Sequence, residues 1–91
     1  MQDAISGSER RMTEATRIVE QLKKRPGTCH YMANRGERGV LWEKKWRCRE
    51  DGDFESNVTG GGRSVGWRPN TENQAVLEIT DDLRIIEGGH G

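Results

Sequence analysis

Val40-Leu41-Trp42-Glu43-Lys44-Lys45-Trp46-Arg47-Cys48-Arg49 is the stretch on which the fold turns. Two readings fit it. As a strand, Val40, Trp42, Lys44, Trp46 and Cys48 alternate with Leu41, Glu43, Lys45, Arg47 and Arg49, which puts both indoles on one face. The hairpin loop before it is then Asn34–Gly39. As a helix, Gly36–Gly39 is a turn and Val40–Glu50 a helical segment, with Trp42 and Trp46 one turn apart. Leu, Glu, Lys and Arg favour helices, and Asp51-Gly52 is a plausible stop.

The same stretch dominates the charge pattern. Residues 25–49 hold seven Lys/Arg and two Glu, whereas residues 50–91 hold three basic and nine acidic side chains. The whole chain is neutral. Two interpretations follow. Either a basic face awaits an anionic partner, backed by an acidic one, or the two halves neutralise each other inside one domain.

Ninety-one residues suit one small domain, and at 31% hydrophobic and 33% charged its core is thin. Residues 1–7 read as a flexible lead-in, 8–87 as a single small domain and 88–91 as a flexible tail. No run approaches the length of a membrane span, and Met1–Ile5 has no signal-peptide character, so the expected compartment is the cytoplasm. There Cys29 and Cys48 are expected as reduced thiols. Cys29, His30, Cys48 and His90 match no compact zinc spacing, so no metal site is expected.

Ser6-Gly7-Ser8-Glu9 has the form of a capping box. Met12, Ala15, Ile18, Val19 and Leu22 follow at helical spacing, with Lys23 and Lys24 at the dipole-favoured end and Arg25-Pro26-Gly27 as the stop. Beyond Gly52, Phe54, Ser56 and Val58 alternate, as do Val65 and Trp67. Pro69–Asn73 reads as a turn and Ala75–Ile79 as a strand. Leu83–Ile86 reads as a strand or a short helix.

The helical reading of the middle resembles winged helix-turn-helix domains. Leu41, Lys45, Cys48, Gly52 and Phe54 stand at the spacing where that family places three inward apolar residues, a terminating Gly and the start of the wing. Pro26-Gly27-Thr28 is similar to the approach to its second helix. Arg63–Arg68 followed by Ala75–Ile79 resembles a wing hairpin with its tip at Pro69–Gln74. The likeness spans residues 12–80. It departs at Lys45, where a Leu is expected, at a short turn Arg35–Gly39, and at a long Ser56–Gly62.

The resemblance implies an α+β, winged-helix-like fold and a DNA-binding regulator of phage, plasmid or bacterial type, acting as a homodimer. Arg38, Lys44 and Arg47 would approach base edges or phosphates, and Arg63 and Arg68 would contact phosphate from the wing. The alternative fold is one helix packed on an antiparallel sheet. The alternative function is a small inhibitor or adaptor of phage anti-defence type. It would dock on a protein through Trp42, Trp46 and Arg49, because Trp and Arg are enriched at binding hot spots. No catalytic constellation stands out: adjacent Cys29 and His30 project to different sides in either secondary structure. Gly60-Gly61-Gly62-Arg63-Ser64 lacks the Lys-Ser/Thr of a phosphate loop. An enzyme and a cofactor are therefore not expected.

Overall fold

In the computed structural model the structure describes residues 7–35, 39 and 41–88. The elements run α1 (Gly7–Lys24), β1 (Cys29–Arg35), β2 (Leu41–Cys48), β3 (Phe54–Gly60), β4 (Arg63–Asn70) and α2 (Glu72–Gly88). The four strands form one antiparallel sheet in sequence order, with β1 and β4 at its edges. The fold is α+β, with two helices layered on one side of the sheet.

The first helix forms as its periodicity predicts. Ala15, Ile18, Val19 and Leu22 are its buried residues, and Lys23 and Lys24 close its last turn. The chain then turns at Gly27, whose φ of 93° suits a residue without Cβ. The Gly27 N–H donates to the Cys48 carbonyl at 3.1 Å, tying this turn to the end of β2. Ser6, the first residue of the expected capping box, lies outside the described residues.

The decisive stretch is a strand. Residues 41–48 pair with β1 on one side and β3 on the other, with Trp46 opposite both His30 and Ser56. The recognition helix expected over Val40–Glu50 is therefore not formed, and the order helix–four strands–helix is not helix followed by wing. Alternation prevails because it buries Trp46 and Cys48 together on the side the helices cover. A helix over these residues would put Lys45 in the core, at a large desolvation cost.

A second correction falls on residues 69–86. Pro69 and Asn70 end β4, and Ala75–Ile79 lies in a helix, not in a wing strand. Thr71 starts this helix with a reciprocal cap. The Gln74 N–H donates to Thr71 Oγ1 at 3.1 Å, and the Thr71 N–H donates to Gln74 Oε1 at 3.2 Å. Ala75, Ile79 and Asp82 then face inward at helical spacing, with Val76 and Leu83 packed beside them. The expected loop Asn34–Gly39 is also trimmed, since Asn34 and Arg35 belong to β1.

The two helices run antiparallel. Arg10 and Arg11 at the start of α1 meet Glu87 near the end of α2, while Lys23 at the end of α1 meets Glu72 at the start of α2. Ala15, Ile18, Val19 and Leu22 meet Ala75 and Ile79 in the core together with Met32, Trp46, Cys48 and Phe54 from the sheet. Fully burying a side chain such as Phe54 is worth about 1.5–3 kcal/mol, so this short roster carries the fold. No described helix is long and apolar enough to cross a membrane.

Candidate functional site

Register divides the sheet residues between two faces. On the helix side stand His30 and Met32 of β1, Trp42, Lys44, Trp46 and Cys48 of β2, and Phe54 and Ser56 of β3. Among the described residues no helix lies over the opposite face. One row crosses all four strands there: Tyr31 is opposite Lys45, Lys45 opposite Asn57, and Asn57 opposite Trp67. Three strand spacings separate the two aromatic residues, about 14 Å. Tyr31 is 53% exposed and Lys45 is exposed, while Asn57 and Trp67 are half-buried.

Neighbouring side chains frame this row. The Arg47 guanidinium lies over the Trp67 ring, 3.8 Å from its centroid. Arg47 also pairs with Glu55 at 2.8 Å, and Arg49 reaches the same carboxylate at 3.5 Å. A hydrogen bond with Glu43 is the main reason the Tyr31 hydroxyl titrates above its ordinary range. Lys45 has no ion-pair partner among the described residues. Among the described residues the open face therefore carries, in this row, two aromatic rings with one unpaired cation and one amide between them.

The residues singled out from sequence do not converge on one surface. Lys44 lies on the helix side, only 12% exposed, with Nζ 2.8 Å from Asp82 and 3.3 Å from Glu78. Arg47 is on the opposite face. Arg63 is exposed at the start of β4. Arg68 lines a shallow groove on the helix side with Ser56, Val58 and Glu78. Arg38 lies outside the described residues. Of the partner-binding candidates, Trp46 is fully buried in the core and Trp42 half-buried on the helix side. Arg49 is exposed but engaged by Asp51 and Glu55.

Many of the cations are neutralised within the domain. Arg10 and Arg11 pair with Glu87, Lys23 with Glu72, Lys44 with Asp82 and Glu78, and Arg47 and Arg49 with Glu55. Within residues 25–49, mutual neutralisation accounts for Lys44, Arg47 and Arg49, three of the seven cations.

Cys29 is exposed on the open face and Cys48 buried on the other, so the two thiols do not meet. Burial pushes the Cys48 thiol upward and His30 downward in pKa. No group of three or more metal-ligating side chains occurs among the described residues, and His90 lies outside them.

The row Tyr31–Lys45–Asn57–Trp67 was not singled out from sequence. Only Lys45 of the row was placed in advance, because the strand reading puts Lys45 and its neighbour Arg47 on the face away from Trp46. Tyr31 and Trp67 join them only through pairing. Comparison with protein-family models, with curated proteins and with solved structures finds no match to this chain.

Proposed function

We propose that the chain is a non-enzymatic, nucleic-acid-binding regulator whose contact surface is the open sheet face and whose ligand is a single strand. The observation that carries this reading is the cross-strand row of Tyr31, Lys45, Asn57 and Trp67. Bases of any identity stack on aromatic rings and on guanidinium planes; Tyr31 is exposed, Arg47 lies over the half-buried Trp67, and Lys45 between them offers a cation to the backbone or to base edges. Duplex recognition loses its support with the strand at residues 41–48, since no helix there is available for a major groove. Arg63, exposed at the start of β4, is paired through Gly60 with the row of Trp42 and so falls outside this surface.

The experiment is a titration of the protein into short labelled single strands and into the matching duplex, at low and moderate salt. Single strands are expected to bind more tightly than duplex, with an affinity that falls as salt rises. Absence of binding to any strand at low salt would sink the reading.

A second reading keeps the protein-docking inhibitor or adaptor. The stacked Arg47–Trp67 pair favours it, because Glu55 neutralises Arg47 and leaves a nearly uncharged Trp/Arg anchor. That reading predicts a complex with a protein partner that tolerates salt and is lost on Trp67→Ala, with the domain still folded.

A further inference from the structure

We infer that Asn57, held by Ser64, makes the centre of the open face a reader of guanine; the inference rests on the single-strand reading above. Pairing between β3 and β4 shifts register between Asn57 and Thr59, because Thr59 is opposite Ser64 while Asn57 is opposite Trp67. Val65 and Gly66 on β4 thus stand against the single Val58, and the Gly66 φ of 78° marks the irregularity. Their effect is to bring the Ser64 hydroxyl to the Asn57 side chain.

Ser64 Oγ donates to Asn57 Oδ1 at 3.0 Å and accepts from the Gly66 N–H at 3.2 Å. A serine hydroxyl has one proton, and here Asn57 Oδ1 receives it. With the amide so placed, Nδ2 and its two N–H groups are left without a protein partner among the described residues. Lys45 stands directly opposite Asn57 and adds an ammonium with three more donors. Between the two rings the surface therefore presents donors, while the acceptor of Asn57 is engaged.

Base edges respond differently to such a centre. Guanine places two acceptors side by side, O6 and N7, and lysine is among the side chains that meet that pair. Adenine places the N6 amino donor beside its N7 acceptor. Asparagine ordinarily grips adenine by using its carbonyl oxygen for the amino group and its nitrogen for N7. With Oδ1 held by Ser64, that two-point grip is lost, and the N6 amino group faces further donors. Guanine satisfies Lys45 and Asn57 together.

The test compares alternating thymine–guanine, thymine–adenine and thymine–cytosine deoxyoligonucleotides with wild-type protein, Asn57→Ala and Ser64→Ala, each checked for an unchanged melting profile. For wild type the guanine strand is expected to bind about tenfold more tightly than the adenine strand. Asn57→Ala should erase most of that gap while still binding all three strands. Ser64→Ala releases Oδ1 and should narrow the gap by strengthening the adenine strand. Equal affinities in wild type, or a gap untouched by Asn57→Ala, overturn the inference and leave the single-strand reading standing. Failure of wild type to bind any of the three overturns that reading and the inference with it.

Discussion

Lys44 Nζ lies 2.8 Å from Asp82 Oδ2, joining the middle of β2 to α2 across the nearly buried seam between the layers. The same ammonium reaches Glu78 at 3.3 Å and sits 5.5 Å from the centroid of the Trp46 ring. A residue that looked like a ligand-facing cation in the sequence instead compensates a carboxylate inside the fold. Burial pushes the Asp82 carboxyl above its ordinary range, and Lys44 opposes that push.

Lys44→Met should therefore destabilise the domain by about 2 kcal/mol or more at neutral pH, because it strands a nearly buried carboxylate. The sign with pH follows from Asp82. A carboxyl whose folded-state pKa is raised contributes stability that is full below its unfolded pKa and lost as pH rises through the folded value. The deficit of Lys44→Met should accordingly shrink in acid, where Asp82 is protonated. Urea unfolding of both proteins at neutral and acidic pH measures this, and an equal deficit at both would contradict it. Replacing Asp82 by Leu in the same background should recover much of the loss.

Trp46 has no exposed surface and sits at the centre of the sheet's helix-side face. Trp46→Ala should cost about 3–5 kcal/mol, enough to unfold a domain with so small a core. Trp46→Phe should be milder, since the buried indole N–H has no hydrogen-bond partner among the described residues to lose. Circular dichroism melts distinguish the two. A fully folded Trp46→Ala protein would show that the core lies elsewhere.

The cap at Thr71 makes a smaller, local prediction. Thr71→Ala removes the acceptor for the Gln74 N–H and should lower stability by about 1 kcal/mol. The frayed residues should be those at the start of α2, read by amide exchange across residues 72–76. A uniform increase in exchange, with no bias toward that end, would argue against a specific cap.

On the open face, Tyr31→Ala and Trp67→Ala should each weaken single-strand binding by about 1–3 kcal/mol if a base stacks there. Lys45→Ala should reduce the salt dependence as well as the affinity. All three variants should keep most of their stability, because none of these side chains belongs to the buried core. Tryptophan fluorescence offers a direct readout: any quenching on binding should vanish in Trp67→Ala, since Trp46 is sealed in the core and Trp42 stands on the helix-side face. Persistent quenching in that variant would place the contact elsewhere.

Some of this structure was legible before any tertiary information. The stripe from Ala15 to Leu22 announces α1, and the alternation around Trp46 and from Phe54 to Val58 announces strands. Thr71-x-x-Gln74 carries the signature of a helix start. The reading of Ala75–Ile79 as a strand took no account of it, although Ala75, Ile79 and Asp82 also fit one helical face.

What the sequence by itself determined is the local grammar: one amphipathic helix, glycine turns, alternating segments, and a charge surplus in the middle offset by acids near the end. Tertiary structure alone decided whether residues 41–48 are helix or strand, because both periodicities were present. The deciding energy is the shared burial of Trp46, Cys48, Met32 and Phe54 under two helices. Pairing alone decided the candidate site too. Tyr31, Lys45, Asn57 and Trp67 are scattered along the chain, and only a four-strand register sets them in one row.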